Sequence, residues 1–503
     1  MKLTTLLLVL MFINSIAKSE TYFVAISGNN ANSGLSPNQA FSTIQHAANL
    51  VQAGDSVLVG SGNFQGFSVM SNSGTEPNPI IFLATGVNVV INTPCSYNNL
   101  DGINVENVSY IIIDGFIVDG MPRAGIRTAL SDHVIIRSNS CTNNYKWGIF
   151  TGFAQNVIIE NNECSFSADE HGIYHSNSAD NAIIRYNSCH HNSSCGIHLN
   201  GDVSQGGDGV LSNLSIYGNV IYENGSAGGS GINCDGVTNS KIYNNLLYEN
   251  HSSGISLYQI DGGAPSTGNK VYNNSIINAS NARWCINITE NCTSNQVINN
   301  VLINKHSWRG SVVIDATAIN GFISDYNIVT NALSPDGDAT ILTLNQWQGL
   351  GYDQHSLVAD PLTQLFVNAI AGDYHSMSAN TQMVDAGSSI VSNTVSDDLD
   401  GNVRPQGISY DIGAFEYLNP VGLPIMEQVI LTPVVILNDG YKFVRLSTGD
   451  KLKIYDLKGA LYIERLLAEE DYFISFSELS KGMSLFRILN AKGKIISKGK
   501  LVN

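Results

Sequence analysis

The pair Gly-Ile recurs at Gly102-Ile103, Gly125-Ile126, Gly148-Ile149, Gly172-Ile173, Gly196-Ile197, Gly231-Ile232 and Gly254-Ile255, at intervals of 23, 23, 24, 24, 35 and 23 residues. A second series runs in step with it: Asn139, Asn162, Asn187, Asn219, Asn245, Asn274, Asn300 and Asn327 each follow a short apolar run such as Val134-Ile-Ile136 or Val157-Ile-Ile159. Two phase-locked series mean one structural coil per repeat. A coil of about 23 residues has no room for a helical crossover, which takes a dozen or more residues besides its strands. Strand-turn-strand rungs are what fits, and stacked rungs make a parallel solenoid with like residues about 4.8 Å apart.

The Asn series then has a physical cause, because Asn tolerates the left-handed backbone of a tight turn and stacked amides hydrogen-bond to one another. Leucine-rich repeats are excluded, since no helix-period pattern or Leu-rich consensus separates the strands. Cys141, Cys164 and Cys189 each stand two places after a series Asn, which predicts stacked interior thiols rather than disulfides. No Cys/His cluster shows zinc-site spacing. An open solenoid end needs a cap. The amphipathic stretch Ser36–Val51, with Pro37 in its first turn, predicts a capping helix. Near the other end stand Asp397-Asp398-Leu-Asp400-Gly401-Asn-Val-Arg404-Pro405 and Asp411-Ile-Gly413-Ala-Phe-Glu416-Tyr417. These resemble the closing motif of secreted bacterial right-handed parallel β-helix proteins of the pectate-lyase-like superfamily, and the opening strand-helix-strand resembles their N-terminal cap. The resemblance spans about residues 21–418 and implies the fold. The superfamily holds lyases, hydrolases, epimerases and binding proteins, so the reaction has to be read from the site.

The formal charge is −17, with 25 Lys+Arg against 42 Asp+Glu, which excludes nucleic acid as a partner because phosphate binding needs a basic face. That charge is unevenly spread: residues 440–503 hold 12 basic and 7 acidic side chains, leaving 13 against 35 upstream. The chain opens with Lys2, the apolar run Leu6–Ile13 and Ser15-Ile16-Ala17, the pattern of a signal peptide cleaved after residue 17, too short to span a bilayer. The tail from about Glu427 reads as short strands with Gly turns, a small β-sandwich. Its segments Ile454-Tyr-Asp-Leu-Lys-Gly459 and Gly482-Met-Ser-Leu-Phe-Arg-Ile488, with the Lys-rich end, resemble the C-terminal sorting domain of the type IX secretion system of Bacteroidetes. That resemblance implies export through the periplasm to the medium or outer surface, with the secretion machinery as a partner.

Strand alternation allows the coils to be stacked on paper. With Ile inward, the outward lanes lie at −2, 0, +2 and +4 from Gly. Arg123, Arg127, Lys146, Glu170, Tyr174, His198, Asn200, Asn233, Asp235 and Tyr258 then share one face over about six coils, roughly 25–30 Å, a length suited to an oligosaccharide. The cations Arg123, Arg127 and Lys146 head the stripe, either as counter-charge for an anionic sugar or as surface charges balancing Glu106 and Glu170. Insertions at Asn200–Gly209 and Asp261–Asn269 leave the same edge and would wall a groove. Their acidic residues admit calcium, with Glu170, Asp202 and Asp208 as ligands. The run Asp169–Asn177 is the densest titratable cluster; its register places His171 and His175 inward or at a turn, and it loosely resembles the Asp/His-bearing coil of alginate epimerases and related lyases.

The expected molecule is therefore an all-β, right-handed parallel β-helix. It comprises a signal peptide (1–17), an N-terminal cap and first coil (18–78), coils (79–330), closing coils (331–420) and a sorting β-sandwich (427–503). It is expected to be a monomer acting on an acidic polysaccharide. The expected reaction is β-elimination at a uronate: Arg123, Arg127 or calcium holds the carboxylate, Lys146 or His198 takes the C5 proton, and Tyr174 protonates the leaving oxygen. Arg123, His175, Asn200, Asn233, Asp235 and Tyr258 are the expected substrate contacts. A glycoside hydrolase or C5-epimerase on the same fold is the alternative, and a non-catalytic glycan-binding surface protein the second. Hydrolysis needs two carboxyls flanking one bond, whereas Glu170, Asp202, Asp208 and Asp235 are scattered over three coils.

Overall fold

A computed structural model describes residues 19–418, together with the strands and some adjoining residues of a second unit that begins at Asn419. The proposed signal peptide lies outside the described residues. The first unit is a right-handed parallel β-solenoid of about 12 turns whose strands form three parallel sheets of 12, 11 and 12 strands. One coil is Ile135–Arg137, Ser140–Thr142 and Trp147–Gly152, one strand in each sheet. Ile103, Ile126, Ile149, Ile173, Ile197, Ile232, Ile255 and Ile286 stack in one fully buried column of the 11-stranded sheet.

The Asn series forms a buried ladder. Each backbone N–H and side-chain Nδ2 from Asn139 to Asn300 donates to Oδ1 of the next Asn, at 2.9–3.1 Å. The left-handed conformation, however, belongs to the residue before each ladder Asn: Ser138, Asn161, Tyr186, Gly218, Asn244, Asn273, Asn299 and Tyr326. The ladder Asn is there for its amide, not for its backbone tolerance. A second ladder, Asn192 to Asn224 to Asn250, serves the next corner in the same way.

The Gly column departs from strict alternation. A Cβ at Gly148 would lie 2.7 Å from the Gly172 carbonyl and 3.0 Å from the Cys164 Cβ, so this position points into a crowded corner rather than outward. Trp147, which precedes it, donates to Glu170 of the outward −2 lane, so the −1 residues turn toward that lane. Cys141, Cys164 and Cys189 stack as buried free thiols.

The N-terminal helix is shorter than its sequence pattern predicts. Pro37–Gln39 form a 3₁₀ turn and the α-helix covers only Ile44–Ala48, with Thr43 accepting from the His46 N–H. Between them Phe41 bridges to Val24 in extended form and is buried, and that packing overrides the helical period. The closing segment is held together by a buried ion pair, Arg404 Nη1 to Glu416 Oε2 at 2.7 Å, and docks on the solenoid where Asn273 donates to the Asp411 carbonyl and the Ala414 N–H donates to Ser275 Oγ.

The second unit has two described antiparallel sheets, Val434–Leu437, Gly440–Phe443 and Tyr472–Ser475 in one, and Lys451–Tyr455, Leu461–Leu466, Met483–Leu489 and Ile495–Val502 in the other. Phe443 and Ile474 from the first share a core with Leu452, Ile454, Ile488 and Leu501 from the second.

Candidate functional site

The outward lanes of the 11-stranded sheet carry the registers Asn104, Arg127, Phe150, Tyr174, His198, Asn233, Ser256, Asn287 and Ser176, Asn200, Asp235, Tyr258. Along its N-terminal half every expected cation is neutralised by a neighbouring coil. Arg123 binds the buried Asp101 with two hydrogen bonds, at 2.9 and 2.6 Å. Arg127 Nη1 donates to Asn104 Oδ1 and Glu106 Oε2, both at 2.7 Å. Lys146 Nζ lies 2.5 Å from Glu170 Oε1, and Trp147 Nε1 donates to the other oxygen at 2.7 Å. The Glu170 hydrogen bond raises the Lys146 pKa, which favours the ammonium over the neutral amine that the expected base requires. Nor do Arg123 and Arg127 offer unneutralised charge to a substrate carboxylate. These three side chains balance acidic neighbours, the plainer of the two sequence readings.

A chain of hydrogen bonds also weighs against His198 as the base. The Cys195 N–H donates to His171 Nδ1 at 3.2 Å, so His171 carries its proton on Nε2. That proton points to His198 Nδ1, 2.8 Å away, which leaves the His198 proton on Nε2, a buried atom without a hydrogen-bond partner among the described residues. Burial first, then His171, hold the His198 pKa well below its ordinary value; burial brings His171 down to about 3. Tyr174 stacks on His198 (centroids 4.9 Å apart) and accepts from Asn200 Nδ2; burial pushes its pKa up to about 12.

Three further candidates serve the scaffold. His175 is fully buried, with Nδ1 2.6 Å from Thr151 Oγ1 and Nε2 3.0 Å from the Ala179 carbonyl, so it cannot touch a substrate. Asn200, 4% exposed, accepts from the Asp202 N–H and starts the inserted loop. Asp235, 1% exposed, accepts from the N–H groups of Ile260, Asp261 and Gly262 and so shapes the second loop instead of reaching a sugar. The proposed calcium ligands do not converge: Glu170 is held by Lys146 and Trp147, Asp202 caps Ser204, and Asp208 accepts from the Val210 N–H. Among the described residues, the one group of three or more His, Cys, Asp or Glu side chains with ligand atoms mutually within 4.8 Å is His171, Cys195 and His198.

His175 makes a pH prediction. Burial lowers its pKa from 6.5 to about 4, so the native state binds fewer protons than the unfolded chain below pH 6.5. Its stabilising contribution is complete above pH 6.5 and is lost as the pH falls toward 4, by about 3 kcal/mol at 1.36 kcal/mol per unit. Urea midpoints measured across that window are expected to fall less steeply for His175→Gln than for the parent.

The C-terminal half of the same face holds a groove of about 590 Å³ lined by Asn233, Tyr258, Arg283, Trp284, Glu290, Arg309 and Asp338 among others. Asn233 Nδ2 donates to the Tyr258 hydroxyl at 2.6 Å, and burial raises the Tyr258 pKa, so it stays a phenol. Arg283 and Arg309 form no ion pair among the described residues, in contrast to the cations on the other half of the face. Arg309 Nε and Trp284 Nε1 are buried donors without partners there. The Asp338 carboxylate likewise carries no ion pair or hydrogen bond among them.

Sequence reasoning reached this groove only at Asn233 and Tyr258 and missed Arg283 and Arg309, because the Gly-Ile marker ends at Gly254. The register continues through Ile286 and Val312, with Cys285 and Ser311 standing in the Gly column. Extending the −2 lane by those two coils places Arg283 and Arg309 in line with Lys146 and Ser252. The Asn ladder, unbroken to Asn327, was the signal that two more coils existed.

The model of the right-handed β-helix region family matches residues 57–207 and 163–332. Among solved structures the chain is similar to a pectate lyase, Pel9A, at 17% identity and a TM-score of 0.55, covering 80% of this chain and 97% of that one. It is similar to a rhamnogalacturonan lyase at 13% identity (TM-score 0.45, 70% and 92% covered) and to the periplasmic alginate epimerase AlgG at 14% (TM-score 0.36, 59% and 83% covered). No curated protein matches the sequence.

Proposed function

This chain belongs to the right-handed β-helix family, and on that premise we propose that it is an enzyme acting on an anionic, uronate-containing polysaccharide laid along its 11-stranded sheet. The observation that carries the reading is the pair of guanidinium groups, Arg283 and Arg309, without carboxylate partners among the described residues, in a groove of an otherwise acidic protein. The similarity in fold to a pectate lyase agrees with a glycan substrate.

The proposed reaction is β-elimination. Arg283 and Arg309 neutralise the uronate carboxylate and so acidify the C5–H bond. Asp338 takes that proton, the C4–C5 double bond forms, the C4–O bond breaks, and the Tyr258 hydroxyl donates its proton to the departing oxygen. Hydrolysis is the second reading, because Glu290 and Asp338 put two carboxyls in one groove. Incubation with alginate, pectate, glucuronan and glycosaminoglycans separates the two: elimination yields the ultraviolet absorbance of an unsaturated uronate together with new reducing ends. Reducing ends without that absorbance establish hydrolysis, and binding without either product makes the protein a non-catalytic binder. Lys146→Met, which removes the ammonium paired with Glu170, is expected to leave turnover within about threefold; a thousandfold loss would return the base to Lys146.

A further inference from the structure

We propose that His171, Cys195 and His198 form a binding site for one divalent ion of the zinc class. Cys195 and His198 lie three residues apart entering one strand, and His171 comes from the coil before, so stacking assembles a His₂Cys set that no linear spacing reveals. Zn–S bonds of about 2.3 Å and Zn–N bonds of about 2.0–2.1 Å place tetrahedral ligand atoms roughly 3.3–3.6 Å apart. The three ligand atoms here lie within 4.8 Å of one another and the two ring nitrogens at 2.8 Å, so loading asks for sub-ångström to ångström shifts.

The chemistry of the set fits such an ion. A thiolate with two imidazoles suits zinc over calcium or magnesium. The Ser230 N–H points at Cys195 Sγ at 3.4 Å, a donor that supports a thiolate. The space beside the sulfur is kept open by Gly229, whose φ is +95° and whose Cβ would lie 2.7 Å from Sγ. Without an ion the sulfur is poorly satisfied, since its one side-chain hydrogen bond among the described residues is to Ser194 Oγ at 3.9 Å. Coordination through His171 Nε2 moves that ring's proton to Nδ1 and gives up the 3.2 Å bond from the Cys195 N–H. Glu170 Oε2, 3.7 Å from His171 Nε2, is the nearest carboxylate to the remaining coordination position.

The site borders the sugar groove, whose lining includes Gly229 and Ser230, but its test needs no substrate. Full-length protein dialysed against zinc chloride is expected to retain one equivalent by elemental analysis. Cobalt(II) in its place is expected to give a near-ultraviolet thiolate-to-metal charge-transfer band with the visible bands of a tetrahedral ion. Cys195→Ala should abolish the charge-transfer band, and His198→Ala, at a partly buried position on the outer face of the sheet, should weaken zinc binding by at least about a hundredfold. A cobalt spectrum lacking the charge-transfer band, or His198→Ala binding zinc as tightly as the parent, overturns the proposal.

Discussion

Replacing both Arg283 and Arg309 by alanine is expected to lower kcat/KM on a uronate polymer by about a thousandfold while leaving the fold intact. A charge-assisted hydrogen bond contributes about 1.5–3 kcal/mol, so two guanidinium contacts to one carboxylate amount to about 4 kcal/mol, or three powers of ten. Among the described residues neither arginine has a carboxylate partner that its removal would strand, so the folded state loses little. The opposite holds for Arg123 and Arg127: removing either leaves Asp101 or Glu106 without its counter-charge, and the loss should appear in stability before it appears in turnover. Circular dichroism and urea midpoints for the four variants, set beside initial rates on the same polymer, separate the two classes.

Asn187→Ala is expected to be the more damaging change to the fold. Its side chain accepts from the Asn162 N–H and Nδ2 and donates to the Ile159 carbonyl and Asn219 Oδ1, four hydrogen bonds among buried groups. Alanine leaves those partners unsatisfied away from water, at about 1–3 kcal/mol for each that stays so, and some relaxation brings the total to about 3–5 kcal/mol. In a solenoid, neighbouring coils share the stability, so the loss should centre on the coils around residues 160–220. Hydrogen exchange resolved by segment is expected to accelerate there first, with the coils near residue 300 least affected; uniform acceleration along the chain would show that the ladder is not a local staple.

Much of the architecture was legible because a repeat writes itself into the sequence many times. The Gly-Ile and Asn series gave coil length, stacking register and the outward lanes, and those registers hold in the pairing of Arg127 with Phe150 and of His198 with Asn233. What periodicity does not contain is the local bend. At each Gly the chain turns a corner, so the −1 residues Trp147 and His171 meet the outward −2 residue Glu170, which strict alternation assigns to the other face. The candidate site was less legible than the fold for a related reason. A cation on a lane can be read from sequence, but whether it is free depends on the carboxylate one coil away. Asp101, Glu106 and Glu170 consume the first three cations, and the two left over lie beyond the point where Cys285 and Ser311 break the Gly marker.

The central claim is that a uronate carboxylate sits between Arg283 and Arg309. The direct measurement is a crystal structure of the Asp338→Asn variant soaked with an oligouronate that the parent degrades. The account predicts a sugar carboxylate within hydrogen-bonding distance of both guanidinium groups, with Tyr258 facing the glycosidic oxygen. An oligosaccharide seated instead over Lys146, Tyr174 and His198, with the groove at Arg283 and Arg309 empty, would contradict it.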